Sequence, residues 1–219
     1  MSEKVIVGQQ SAIKTLRRLA KKQAQVEQCE FCSSIIHPGH RHLLEIESRR
    51  VVCVCDPCAL RFENVIGRRK LIPRDAVTLP QFNLTDAEWD GFALPINLAF
   101  FFRSTHANKV VAMYPSPAGA TESLLSLEAW GTLVAVNPVL QRMESDVEAL
   151  LVNRLGTSRE YYIAPIDRCF ELVGIIRARW RGFSGGTDVW AEIGKFFGKL
   201  RFAASTPAMA TNQEEASNA

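Results

Sequence analysis

Two cysteine pairs, Cys29-x2-Cys32 and Cys55-x2-Cys58, are separated by 22 residues in the first third of the chain. This spacing restricts the local fold more than any other feature of the sequence. Cysteines three apart can both turn their sulfurs into one tight loop. A hairpin of about twenty residues between two such loops brings them face to face as a tetrahedral four-thiolate site. The intervening runs "RHLLEIE" and "RRVVCVC" alternate as hairpin strands do, and "CDPCALRFENVIG" follows as a short helix with Pro57 in its first turn and Gly67 as its stop. A knuckle, a hairpin and two ligands at a helix start is the order of a treble-clef or zinc-ribbon-like module. The N-terminal end of that helix favours thiolates. Cys29, Cys32, Cys55 and Cys58 are therefore the expected metal ligands, and zinc is the expected metal. Iron in a rubredoxin-like site is the alternative. It ranks lower because Ser33 and Ala59, not glycines, follow the two pairs.

Four further residues carry metal-ligating side chains of interest, Cys53, His40, His42 and Cys169. In "VVCVC", period-two alternation places Cys53 on the same strand face as Cys55, near the metal, as packing beside the site, an alternative ligand or an oxidation-sensitive thiol. His40 and His42 could replace a ligand or shield the site, although loop histidines are commonly just exposed. Cys169, far along the chain, reads as a helix residue in the core.

The remaining sequence divides by composition. Residues 1–28 read as a basic amphipathic helix, with Lys4, Lys14, Arg17, Arg18, Lys21 and Lys22 against Glu3 and Glu27. Residues 29–72 form the cysteine module, and 73–92 read as a proline-containing linker with a Thr85–Glu88 capping box. Residues 93–203 form a domain in which "LPINLAFFFR", "KVVAMY" and "YYIAPI" are strands. "PSPAGATES" reads as a loop and "LSLEAWGTLVAVNP" as a helix. "DVEALLVNR" reads as a helix opened by a Ser145–Glu148 capping box, and two C-terminal helices are capped by Asp167 and Thr187. Residues 204–219 read as a disordered tail. The expected fold class is α+β, a small antiparallel sheet covered by helices following the cysteine module.

With 47% hydrophobic and 22% charged residues in 219, the chain can bury an ordinary core. Its net charge of +3 is too small to imply nucleic acid on its own. No signal peptide is read at the N-terminus, and no apolar run approaches the roughly eighteen residues of a membrane span. A cytoplasmic location, with cysteines reduced and available to metal, is expected. P-loop, G-x-S-x-G and H-E-x-x-H patterns are missing, and a closed four-thiolate site leaves no position for substrate, so a non-enzymatic protein is expected.

The segments "CEFC", "HRHLLEIESRRVVCVCDPCALRF", "YPSPAGATES", "DVEALLV", "YYIAPIDRCFELVG" and "WRGFSGG" together resemble an uncharacterised bacterial family. Its genes lie among those of high-affinity, oxygen-tolerant [NiFe]-hydrogenases, and the resemblance covers Cys29 to Phe202. It implies a cytoplasmic accessory protein for assembly, maturation or electronic connection, whose partner is a hydrogenase subunit or maturation factor. It also gives His40, His42 and Cys53 added weight, and it marks Asp167, Cys169, Trp180, Arg181 and Gly182 as a shared surface or pocket. A nucleic-acid-binding regulator, using the finger and the basic helix, is the alternative from another class.

Overall fold

The computed structural model describes residues 26–63, 67–123, 127–182 and 185–205. The basic helix expected over 1–28 and the tail expected over 204–219 lie almost wholly outside these residues. The described chain is α+β, built on two antiparallel sheets.

The smaller sheet has the order β2-β1-β3, with β1 Arg41–Glu45, β2 Arg50–Val54 and β3 Arg69–Leu71. Helix α1, Asp56–Phe62, follows β2 directly, with Pro57 in its first turn. The hairpin pairs His42 with Cys53, Leu43 with Val52 and Leu44 with Val51. Directly paired residues share a face and successive residues alternate. Leu43, Val52 and Val54 accordingly pack with Cys29, Ile36 and Cys58 in a small core of their own. Leu44 and Val51 point the other way and pack in the core of the larger domain.

The larger sheet has six strands in the order β4-β9-β8-β5-β6-β7. They are β4 Val77–Thr78, β5 Leu98–Ser104, β6 Lys109–Ser116, β7 Gly119–Ser123, β8 Glu148–Asn153 and β9 Glu160–Pro165. One face carries Phe100, Phe102, Ala149, Leu151 and Tyr162 under helices α4, Ile166–Arg179, and α5, Gly186–Ala203. The opposite face carries Ala99, Phe101, Leu150, Val152 and Ile163. It is covered by α2, Asp86–Gly91, by α3, Leu127–Val136, and by the 3-10 turn Pro138–Arg142. The sheet is thus the middle of three layers, and its central strands are buried on both sides.

That burial accounts for the expectations that fail. "DVEALLVNR" is not a helix but strand β8, because Ala149 to Val152 are buried on both faces and lose the alternation that marks a half-exposed strand. The Ser145–Glu148 pattern builds a turn before it. Asp146 has φ +71°, incompatible with a helix start, and the Glu148 carboxylate accepts a hydrogen bond from Glu144 N at 2.7 Å. "PSPAGATES" is no simple loop, since Gly119–Ser123 forms edge strand β7 against β6. Residues 73–92 are not a linker. They supply β4, paired with β9, and the Thr85–Glu88 capping box opens α2, which buries Trp89 in the second core. The last two helices begin after Pro165 and Gly185, so Asp167 lies within the first turn of α4 and Thr187 within α5.

Polar contacts fasten the module to the domain beside the Leu44–Val51–Ile72 packing. Lys70 Nζ lies 3.3 Å from Asp146 Oδ2 and donates to the Ser145 carbonyl at 2.9 Å. Asp146, 3% exposed, also accepts from Thr105 N and Thr105 Oγ1 at 2.8 and 2.7 Å. Arg49 lies over the Phe102 ring at 5.3 Å and pairs with Glu122 at 3.7 Å.

The three-layer arrangement predicts that Leu151→Ala, in the middle of the sheet, destabilises the chain by about 2–5 kcal/mol. Phe202→Ala, at a side chain 95% exposed, should change stability by less than about 0.5 kcal/mol. Urea unfolding midpoints at equal slope compare the two.

Candidate metal centre

The first half of the centre is a tight loop. Ser33 N donates to the Cys29 carbonyl and Cys29 N to the Ser34 carbonyl, each at 2.8 Å. Ser33 takes the left-handed conformation, φ +60°. That is the conformation glycine supplies in many such turns, so the loop closes without one. The serine following Cys32 consequently does not weigh against iron as the sequence suggested. The second half is a strand-to-helix junction. Cys55 is the extended residue preceding α1, and Cys58 lies inside the helix.

The sulfurs of Cys29, Cys32, Cys55 and Cys58 all lie within 4.8 Å of one another, a grouping that can hold a metal ion. Cys32 Sγ is 3.6 Å from Cys55 Sγ and 3.1 Å from Ser34 Oγ. Cys29 and Cys58 are buried, Cys55 is half-buried and Cys32 is exposed, so the group has one edge open to solvent. Phe31 and Phe62, with ring centroids 4.5 Å apart, flank it.

The four thiols are electrostatically unequal. Hydrogen bonds from the Ser34 hydroxyl and backbone bring Cys32 down to about 6. Burial, followed by its three sulfur neighbours, pushes Cys58 up to about 12. At Cys29, burial works upward, but backbone N–H groups of Cys55, Cys32 and Phe31 outweigh it and the thiol is lowered. A cluster of this kind gives up its first proton readily and its last only to a cation.

Cys53 does not face this centre. Strand β2 ends at Val54 and Cys55 begins the helix junction, so the alternation that aligned Cys53 with Cys55 stops between them. Strand alternation puts Val52 and Val54 on the cysteine-core face and Cys53 on the other with His42, its cross-strand partner, although Cys53 still touches the edge of that core. There it forms a second group with His40 and His42, again with ligand atoms within 4.8 Å of one another. Burial, followed by Glu30, Glu27 and Asp167, raises the Cys53 thiol.

The residues marked as one surface do not come together. Asp167 accepts from His42 Nδ1 at 2.7 Å at the start of α4. Trp180 follows the end of the same helix, some 20 Å away at 1.5 Å per residue. Its indole donates to the Gly182 carbonyl at 2.9 Å and packs at 6.1 Å from Trp190, while Arg181 N donates to Gly185 O, which closes the turn into α5. A Cβ at Gly185 would come within 2.8 Å of Val189 Cγ1 and 3.2 Å of the Trp180 ring. Cys169 is fully buried in the larger core. The partner of His42 was not visible in sequence, being 125 positions away. The only cue was the shared prominence of "HRH" and "PIDRCF".

Fold and site together define a helix-covered antiparallel α+β domain carrying a module whose four clustered cysteines could hold a metal ion. The chain belongs to a family of unknown function, DUF5947, whose model matches residues 28–204. That match includes both cysteine pairs, His40 and His42, and the whole six-stranded sheet. No curated protein and no solved structure matches the chain.

In metal-free protein, Cys32 should alkylate first, its rate rising as pH passes about 6, because only the deprotonated sulfur reacts. Cys58 and Cys169 should remain the slowest, and peptide mapping after timed iodoacetamide treatment reads the order.

Proposed function

We propose that the four-cysteine group binds one structural zinc ion in a treble-clef-like module, and that the chain is a non-enzymatic accessory protein acting through protein contacts. The observation that carries this reading is the convergence of four sulfurs from a knuckle and a helix start. Four thiolates fill a tetrahedral shell, the coordination of structural rather than catalytic zinc. Besides its packing on the larger domain, the module's own core contains, among the described residues, seven buried residues, two of them ligands. Small cores of this kind commonly depend on metal.

Contact with a partner is supported by two apolar side chains beside the centre. Ile35 in the knuckle loop and Leu60 on α1 are 73% and 77% exposed. Exposed apolar side chains next to a rigid metal-held loop suit a protein interface. The resemblance to a family encoded with oxygen-tolerant [NiFe]-hydrogenases supplies the partner class, a hydrogenase subunit or maturation factor, and a place in the cytoplasm. Among the described residues no helix is long and apolar enough to cross a membrane.

Protein purified without added metal should retain about one zinc per chain through dialysis against a mild chelator. Cys29→Ser with Cys58→Ser should abolish retention and unfold the module. A coloured preparation with iron in place of zinc would establish the rubredoxin-like alternative instead. Zinc uptake by the metal-free chain near neutral pH should release protons, including the one held by Cys58, and apparent affinity should fall as pH is lowered. A weakly buffered indicator titration measures the release.

For the partner, a tagged full-length chain expressed beside its hydrogenase genes should recover a hydrogenase subunit or maturation factor. Ile35→Glu with Leu60→Glu should reduce that recovery while zinc content stays the same. Recovery of nucleic acid with steeply salt-dependent affinity would replace the partner assignment with the regulatory one.

A further inference from the structure

The second ligand group lies on the opposite face of the hairpin, where the module meets helix α4. His42 Nδ1 lies 2.7 Å from Asp167 Oδ2, a carboxylate in the first turn of α4. His40 Nδ1 lies 3.0 Å from the His37 carbonyl oxygen and 3.4 Å from Glu27 Oε2. All three contacts are to oxygen acceptors, which favours the tautomer with the proton on Nδ1 and the lone pair of Nε2 turned outward in each imidazole. Those two Nε2 atoms face each other at 3.0 Å. Two lone pairs at that distance repel unless something positive lies between them. Cys53 supplies a third donor, with one ligand atom from each of His40, His42 and Cys53 within 4.8 Å of the others.

We infer that His40 Nε2, His42 Nε2 and Cys53 Sγ form a second cation site, separate from the four-cysteine centre, that takes a borderline divalent ion of the zinc type. Two imidazoles and one thiolate match the preferences of such ions, whereas calcium and magnesium take oxygen ligands. The outer partners have the arrangement usual behind ligating histidines. A carboxylate or carbonyl holds the remote ring nitrogen, fixing the tautomer and strengthening the donor. A solvent-connected cleft of about 330 Å³ borders His40, His42 and Asp167, so the histidine side of the group is open to water, although Arg41, Arg74 and Arg168 also line it and Cys53 does not. Three protein ligands leave a fourth position for water or an incoming donor, so this ion exchanges more readily than the one held by four cysteines. All three ligands come from the module and Asp167 comes from the larger domain. Asp167 is thus a positioning residue that couples occupancy of the site to the junction between them.

The test is titration of the full-length chain, retaining its tightly held zinc, with Co2+. Wild type should bind one additional Co2+ saturably, with ligand-field bands of a low-coordinate site and a thiolate charge-transfer band. His40→Ala with His42→Ala should bind none while keeping the first zinc. Cys53→Ser should lose the charge-transfer band. Asp167→Asn should bind the additional ion about 10–100-fold more weakly, with the spectrum otherwise preserved. Should the chain be isolated without zinc, the same titration runs to two Co2+ in wild type and one in the double histidine variant, independently of what the four cysteines hold in the cell. If wild type takes up no additional Co2+, the inference is overturned and the two imidazoles share a proton. It is equally overturned if the additional ion persists unchanged in both the Cys53 and Asp167 variants, which settles the matter even if the double histidine variant fails to fold.

Discussion

The β1–β2 hairpin buries both of its faces, and the N-terminal half of the molecule is organised around that constraint. A two-stranded ribbon alone in water is marginal at best. Here Leu43, Val52 and Val54 lie against the cysteine loops, while Leu44 and Val51 enter the core under α4 and α5. Strand pairing at His42–Cys53 and Leu44–Val51 fixes which residues go to which side. A one-residue slip of β2 would exchange its two faces, moving Cys53 toward the four sulfurs and Val52 and Val54 away from them. The placement of all five β2 side chains therefore rests on one register.

The cysteine module was the most legible part of the sequence, because metal-ligand spacing, hairpin alternation and a proline at a helix start are all local signals. The Thr85–Glu88 capping box was legible for the same reason, since both of its hydrogen bonds join residues three apart. The alternation argument misled only at its end. It carried the strand period across Val54 into Cys55, where the backbone has already left the sheet. Local spacing cannot show that a helix cap begins one residue after a strand ends.

The larger domain was legible in kind and illegible in detail. Strands β5, β6 and β9 were readable from their apolar runs. Strand β8 was mistaken for a helix because it lies between two layers and has no solvent-facing residues to punctuate it. The cue that would have countered this is length. "EALLVN" is a short apolar run bounded by Asp146 and Gly156, close to a typical strand and short for a helix. Strand β7 was hidden because an edge strand rich in glycine, alanine and small polar residues gains its structure from the pairing with β6 rather than from its own side chains. The contacts between His42 and Asp167 and between Lys70 and Asp146 join residues far apart in sequence, which only the folded chain brings together.

The shared packing of Leu44, Val51 and Ile72 in the larger core has a thermodynamic consequence. These side chains belong to the module by sequence and to the domain by burial. If the module binds an ion as proposed, ion capture and integrity of the six-stranded layer are linked by reciprocity. Whatever tightens the layer beneath α4 must raise affinity for the ion by the same factor by which the ion tightens the layer. On that proposal, tightening of the layer far from any cysteine would be felt at the metal site.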